Sequence, residues 1–291
     1  MYSRFLFVGL GGSGGKTLRF LKREIYRWLE HHDAGTSIPA GWQFLHIDTP
    51  TSADGAEIDD LADPLPADEY LGLIGPGLTF AAVQNKLDGN ENLRSELQTW
   101  RVDPAGLPVG IQMGAGQFRA IGQTVSMAYT QQIRTKLQQA VSRISSAKGP
   151  AETGQVFSKV TGETPDAKSP MYIVVISSLA GGTGAGLLNT VCDVLRAEET
   201  DAADNIFGVL YTPEVFHALG DASTGGVQPN SLAALSEILN GHWWGGSPIA
   251  VANNLVPPIA NPALTAAGLP NTISRSGPSF PFLVGRVGAG G

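Results

Sequence analysis

Short, continuous apolar runs alternate with stretches in which apolar residues recur every three or four positions. Residues 4–9 form the first run and end at a glycine, which is typical of a buried parallel strand. Between residues 16 and 32 the apolar positions line one helical face, and residues 42–48 form a second run that ends at an acidic residue. This order predicts a β-α-β unit with parallel strands.

The pattern continues in the second half of the chain. Residues 120–144 carry one long helical stripe, and residues 171–179 form a β-branched run of the kind found at the centre of a sheet. We therefore predict an α/β fold with a Rossmann-like, mostly parallel sheet flanked by helices. Four further elements are expected: a helix over 187–198, a strand over 205–213, a helix over 229–239 capped by Asn230 or Ser231, and a last strand over 280–287.

Three stretches lack such periodicity. Residues 49–113 show little pattern, and the part from 54 to 69 holds seven acidic residues among prolines, which favours a solvated surface over a metal site. Residues 147–169 are polar and rich in glycine and proline, and they are predicted to form a loop. Residues 245–280 are mostly Pro, Gly, Ala and Asn, so an irregular segment is expected there.

Composition narrows the class of protein. A formal net charge of -7 with 19 Lys and Arg residues leaves no basic surface for nucleic acid. The apolar runs are too short to span a membrane, and the N-terminus has no signal-peptide pattern, so we expect a cytoplasmic protein without a membrane segment. The single cysteine, Cys192, falls among apolar residues of a predicted helix and is expected in the core.

The first glycine cluster, GLGGSGGKT, lies between the first predicted strand and helix. The Walker pattern G-x-x-x-x-G-K-[ST] fails by one position, because Leu10 stands where its first glycine belongs. The dinucleotide pattern G-x-G-x-x-G fits Gly9, Gly11 and Gly14, with Asp48 available for a ribose.

Two other interpretations of this cluster are open. Gly11, Ser13 and Gly15 match the nucleophile elbow G-x-S-x-G, although no Asp and His stand out as partners of the serine. The glycines could also be purely structural and let a helix approach a strand closely. The cluster alone does not decide between these interpretations.

A second glycine cluster, SLAGGTGAG at residues 178–186, also lies between a buried strand and a helix. Both clusters thus place backbone N–H groups at a helix N-terminus, where anions are favoured. Two such turns on one parallel sheet could bind two ends of one polyphosphate, whereas a dinucleotide fold needs the first alone.

These residues carry a resemblance to a known family. Residues 181–186, GGTGAG, resemble the tubulin and FtsZ signature GGTG[ST]G with alanine at the fifth place. Residues 10–15 resemble the first phosphate loop of FtsZ, and residues 114–117 resemble the loop that senses the terminal phosphate. Residues 228–230 are similar to part of tubulin's Glu-Pro-Tyr-Asn. The chain is identified as resembling a divergent bacterial tubulin-like protein over about residues 4–240 and 280–286.

The resemblance implies that the chain binds GTP or GDP with Mg²⁺ held largely through water. Lys16 is either a phosphate contact or a solvated helix residue, and no catalytic residue or protein metal ligand is assigned. The implied nucleotide-binding residues are Gly11, Gly12, Ser13, Gly14, Lys16, Asp48, Thr49, Gly114, Ala115, Gly116, Gln117, Gly181, Gly182, Thr183, Gly184, Ala185, Gly186 and Asn230.

By the same resemblance, residues 1–291 form one nucleotide-binding domain with insertions at about 50–112 and 245–280. The family's synergy loop and C-terminal domain are not in this sequence, so we expect a piece of a longer protein that binds GTP but hydrolyses it slowly. The full-length protein is expected to self-associate head to tail into GTP-hydrolysing protofilaments. A non-polymerising nucleotide-dependent scaffold and a Rossmann-type oxidoreductase are the alternatives, and a guanine or adenine preference is open.

Overall fold

The computed structural model describes residues 2–53, 64–106, 110–166, 168–198, 202–217, 225–245, 259–273 and 275–286. The strands in these residues are β1 (Arg4–Leu10), β2 (Trp42–Asp48), β3 (Tyr70–Gly72), β4 (Met171–Ser178), β5 (Ile206–Tyr211), β6 (Ile259–Ala260), β7 (Thr272–Ile273) and β8 (Phe280–Val284). Six of them form one sheet in the order β3-β2-β1-β4-β5-β8, and each neighbouring pair is parallel.

Helices cover both faces of this sheet. They are α1 (Gly11–His31), α2 (Phe80–Asp88), α3 (Glu91–Gln98), α4 (Arg119–Ala128), α5 (Thr130–Ser145), α6 (Lys148–Thr161), α7 (Gly182–Ala197), α8 (Val227–Gly245) and α9 (Pro262–Ala266). The predicted α/β fold with a parallel sheet flanked by helices is confirmed.

Successive side chains of a strand point to opposite faces of the sheet, and each face has its own hydrophobic core. Leu6 and Val8 of β1 belong to the larger core, which contains the buried faces of α4, α5 and α7. Phe7, between them, packs with Leu18 of α1 in a smaller core on the opposite face. Cys192 is fully buried in the larger core, as predicted, and burial raises the pKa of its thiol.

The two glycine clusters are the first turns of helices, not loops that precede them. Helix α1 begins at Gly11 where the apolar pattern predicted residue 16, and α7 begins at Gly182 where it predicted residue 187. The pattern missed these turns because glycine has low helix propensity and no side chain to mark a face. Gly14 shows why glycine is needed, since a Cβ there would lie 2.5 Å from the carbonyl oxygen of Ile176 in β4.

The long stripe over 120–144 is confirmed, but it forms two helices. Tyr129 separates α4 from α5 with a φ of -119° and a ψ of 19°. The stripe nevertheless faces one core, since the buried positions include Ile121, Val125, Tyr129, Ile133, Leu137 and Ile144.

The prediction of a loop over residues 147–169 is wrong for most of its length, because α6 occupies Lys148–Thr161. Pro150 lies in the first turn of this helix, where its missing N–H breaks no intrahelical bond. Val156 is buried against α1, and Gly162 ends the helix in the left-handed conformation with a φ of +74°.

The weakly patterned segments also contain ordered elements. Helices α2 and α3 bury Val83, Leu87 and Leu97 in the larger core. In the second segment, β6 and β7 pair antiparallel on either side of α9. Of the acidic stretch, residues 54–63 lie outside the described residues.

Side chains of helix α7 form hydrogen bonds with the segment that precedes β8. The buried carboxylate of Asp193 accepts hydrogen bonds from Asn261 Nδ2 at 2.8 Å, Ser276 Oγ at 2.9 Å and the Gly277 N–H at 3.0 Å. Arg196, one helical turn further on, donates to the Gly277 carbonyl oxygen at 3.0 Å. Burial raises the pKa of Asp193 to about 6. The hydrogen bonds that the carboxylate accepts lower the pKa, but their effect is smaller than that of burial.

Candidate functional site

A cleft of about 610 Å³ opens at the carboxyl ends of β1 and β4. From β1 the sheet continues to β2 and β3 on one side, and from β4 it continues to β5 and β8 on the other. Ligands of open α/β sheets bind at such a switch in strand order. The cleft is lined by Leu10, Gly11, Gly12, Ser13, Asp48, Pro50, Ser52, Ala53, Gly114, Ala115, Gly116, Ser178, Gly181, Gly182, Thr183 and Gly184.

The N-termini of α1 and α7 meet at this cleft. Their capping residues, Leu10 and Gly181, make no side-chain cap hydrogen bond, and neither first turn has an acidic residue. Apart from the Gly182 N–H, which donates to the Gly116 carbonyl oxygen, the first-turn N–H groups and the positive dipole ends of both helices can therefore face one anion. The turns touch, because a Cβ on Gly11 would lie 2.9 Å from the Gly184 nitrogen, and Gly11 has a φ of +66°. Glycine at position 11 is required on both counts.

The loop of residues 114–116 forms a third wall of the cleft and is tied to α7. The Gly182 N–H donates to the Gly116 carbonyl oxygen at 2.8 Å. The buried Ala115 N–H donates to Thr183 Oγ1 at 3.2 Å. Thr183 thus holds this loop against the second glycine turn.

A hydrogen-bonded chain of side chains continues from Thr183 to β2. Thr183 Oγ1 lies 3.3 Å from Thr49 Oγ1, and Thr49 donates to Asp48 Oδ1 through its backbone N–H at 2.7 Å. The Thr49 hydroxyl is 3.5 Å from the same carboxylate oxygen. Because each hydroxyl has one proton, Thr183 can donate to a ligand when Thr49 donates to Thr183. The Thr49 hydroxyl therefore donates either to Thr183 or to Asp48, and not to both at once.

Gln117 and Asn230 lie behind the cleft and fix its loops. Asn230 Nδ2 donates to the carbonyl oxygens of Gln117 at 2.7 Å and Ala180 at 3.0 Å. The Gly226 N–H donates to Gln117 Oε1 at 2.8 Å. The prediction that Asn230 or Ser231 caps α8 is wrong, because that helix begins at Val227 and includes both residues.

A comparison with known protein families identifies the family of this chain. The model of a protein family described as tubulin like matches residues 6–259 of the chain, which include both glycine turns and the 114–117 loop. The chain belongs to the tubulin-like family. The predicted resemblance is thus confirmed at the level of the superfamily. No curated protein matches this tubulin-like chain.

The tubulin-like chain brings most of the predicted residues together, but not all of them. Thr49 is buried directly behind the cleft, and Gly14 is buried against β4. Ala185 and Gly186 are buried within α7, where a Cβ on Gly186 would lie 2.4 Å from a backbone nitrogen of α4. Lys16 is exposed on α1 and does not line the cleft.

Sequence reasoning missed several lining residues of this tubulin-like site. Ser178 is the last residue of β4, and its Oγ accepts from the Ala180 N–H at 3.0 Å. A hydroxyl residue at the carboxyl end of a central strand could have indicated this position, because ligands of open α/β sheets bind there. Pro50, Ser52 and Ala53 follow β2, but nothing in their residue types indicates a ligand site.

The site has little charge of its own. Of the residues that line the cleft in the described structure, Asp48 alone is charged, and none is lysine, arginine or histidine. A lysine-dependent Walker site and a Ser-His nucleophile at Ser13 therefore find no support in this cleft. The described residues contain no group of three metal-ligating His, Cys, Asp or Glu side chains, and none of their helices has the length and apolar character of a membrane span.

Proposed function

We propose that this tubulin-like chain binds GTP or GDP, with Mg²⁺, in the cleft between α1 and α7. The main observation behind the proposal is that two glycine-rich helix N-termini, neither with a side-chain cap, converge on one cleft. In this proposal the N–H groups of Gly12, Ser13, Thr183 and Gly184 bind the phosphates. The loop of residues 114–116 faces the terminal phosphate.

The size and the chemistry of the cleft support a nucleotide. Its volume of about 610 Å³ is within the range of small-molecule sites. Phosphate charge would be balanced by two helix dipoles and by Mg²⁺, which neutralises phosphate oxygens and keeps several waters when few carboxylates are present. Asp48, the one carboxylate among the described lining residues, is the residue we assign to those waters.

We further propose that hydrolysis by this chain alone is slow. A general base that activates water needs a carboxylate or histidine within reach of it, and the described cleft offers Asp48 alone. In the proposed head-to-tail assembly, acidic residues of a neighbouring subunit complete the site. The assembly, the GTPase activity and a cytoplasmic location are parts of this proposal.

The nucleotide can be identified directly. One sample of the purified chain is denatured, and the released small molecules are separated by chromatography. A second, native sample is depleted of nucleotide and titrated calorimetrically with GTP, ATP and NAD in Mg²⁺. The proposal predicts released GDP or GTP, and binding of GTP over NAD. Binding of NAD alone would contradict the proposal and favour the dinucleotide interpretation of the first glycine cluster. Binding of no nucleotide would also contradict the proposal and favour a purely structural role for these glycines.

A further inference from the structure

The imidazole of His46 lies directly beneath the first turn of α1. His46 is buried on β2, two residues before Asp48, so both side chains leave the strand on the same face. Its ring packs edge-on against Tyr70 of β3, with 5.1 Å between the ring centroids. The nucleotide-binding proposal leaves this buried histidine without a role.

The hydrogen bond of His46 defines both a tautomer and a peptide orientation. His46 Nε2 lies 3.1 Å from the carbonyl oxygen of Gly11, and since a carbonyl can only accept, Nε2 carries the proton. The peptide between Gly11 and Gly12 is trans, so its N–H points away from its C=O. Holding the Gly11 carbonyl toward His46 therefore turns the Gly12 N–H to the opposite side. Gly12 is exposed at the cleft on that side.

Gly15 provides the space for this arrangement. A Cβ on Gly15 would lie 2.2 Å from Cε1 and 2.4 Å from Nε2 of His46. Any larger residue at position 15 would displace the ring from the Gly11 carbonyl. Gly15 does not line the cleft, so its packing against His46 gives a reason for this glycine that phosphate contact does not.

The ring also borders the carboxylate of the cleft. His46 Nε2 is 3.6 Å from Asp48 Oδ2, while the other carboxylate oxygen accepts from the Thr49 N–H at 2.7 Å. One nitrogen thus lies between a carbonyl of the first glycine turn and the carboxylate at the end of β2. Nε2 has one proton, which it donates to the Gly11 carbonyl, so the 3.6 Å contact with Asp48 is close packing and not a hydrogen bond.

We propose that His46 is a positioning residue for nucleotide binding: it holds the Gly11–Gly12 peptide so that the Gly12 N–H faces the phosphates. The inference rests on the proposed function. His46 does not contact the nucleotide itself. Without the hydrogen bond from His46, the Gly11 carbonyl is held by its hydrogen bond within α1 alone, and the peptide can tilt about the left-handed turn at Gly11.

The test uses three variants and a matched control. His46→Phe retains a ring but removes the donor, His46→Gln retains a donor, and Gly15→Ala displaces the ring. The control is His242→Phe, because His242 Nε2 also bonds to a carbonyl, that of Pro278 at 2.8 Å, and His242 does not line the cleft. Affinity for Mg²⁺-GTP and for GTP in EDTA is measured by calorimetry, with thermal melts to establish folding.

We expect His46→Phe and Gly15→Ala to weaken Mg²⁺-GTP binding by about three- to tenfold, the size of one lost hydrogen bond. His46→Gln should recover most of this loss, and His242→Phe should leave the affinity unchanged. The loss should be of similar size with Mg²⁺ and in EDTA, because the lost hydrogen bond acts on the Gly11–Gly12 peptide and not on Asp48. Long-range ¹H–¹⁵N NMR of the histidine side chains should show the Nε2–H tautomer for His46, a readout that needs no nucleotide.

The outcomes separate this inference from the proposed function. If the wild type binds no GTP, the proposed function fails and the role of His46 fails with it. If the wild type binds GTP and His46→Phe and His46→Gln bind it equally well, the role of His46 alone is refuted. An Nδ1–H tautomer would also refute it, since Nε2 would then have no proton to donate.

Discussion

Thr183→Val tests how the second glycine turn is joined to the loop of residues 114–116. The substitution keeps the shape of the side chain and removes its hydroxyl. The buried N–H of Ala115 then loses its acceptor at 3.2 Å, and Thr49 loses its partner at 3.3 Å. The loop should detach from α7 at this point, although the bond from Gly182 to Gly116 remains.

The magnitude follows from the burial of the Ala115 amide, which belongs to a residue with no exposed surface. Leaving a buried donor unpaired costs about 1–3 kcal/mol, which lowers Tm by about 2–5 °C for a domain of this size. Loss of the ordered loop should weaken GTP binding by about 5- to 30-fold, equivalent to about 1–2 kcal/mol.

The matched control is Thr190→Val on the same helix. Thr190 is also buried, and its Oγ1 lies 2.9 Å from Ser126 Oγ, which keeps a second bond to the Gln123 carbonyl oxygen at 2.8 Å. Calorimetric unfolding and GTP titration of both variants make the comparison. We expect Thr190→Val to lose a little stability and no affinity. If Thr183→Val binds GTP as tightly as the wild type, the Thr183 hydroxyl does not order the loop of residues 114–116 for GTP binding.

Three further predictions use other contacts. Gly11→Ala should destabilise the fold by at least about 2 kcal/mol in denaturant unfolding and abolish GTP binding. The reasons are the φ of +66° at Gly11 and the Gly184 nitrogen, which would lie 2.9 Å from the added Cβ. The control Gly12→Ala should retain the wild-type stability, because no atom lies within 4 Å of a Cβ at that position. Asp48→Asn should reduce the ratio of GTP affinity in Mg²⁺ to that in EDTA by at least about threefold, and an unchanged ratio would argue against its role. The pKa of Asp193 is raised from 3.8 to about 6, so the native state binds more protons than the unfolded chain between these values. Stability should therefore rise by up to about 3 kcal/mol as pH falls through 6 to 4, and Asp193→Asn should remove this slope from urea unfolding.

Strands with continuous apolar runs were the most predictable part of the fold. The central strand β4 and its neighbour β1 were predicted to within one residue at each end, because burial on both faces requires such runs. The short strand β3, with three residues, gives no comparable signal and was not predicted. Helix α6 was missed because Gly149 and Pro150 indicate a loop by composition, although both lie in its first turn.

The site was predictable where glycine turns follow strands. Gly12 and Thr183 were found in this way, since parallel strands bring their carboxyl ends to one edge. The hydrogen bonds of Asn230 and His46 were not predictable, because their partners lie far away in the chain. Asn230 bonds to Gln117 across 113 positions, and His46 bonds to Gly11 across 35.

A crystal structure of the chain with Mg²⁺ and a non-hydrolysable GTP analogue would show which backbone groups bind the phosphates. We expect one nucleotide whose phosphates accept hydrogen bonds from the backbone N–H groups of both Gly12 in α1 and Gly184 in α7. A nucleotide whose phosphates contact the first turn alone, as in a dinucleotide fold, or one bound outside the cleft, would contradict this expectation.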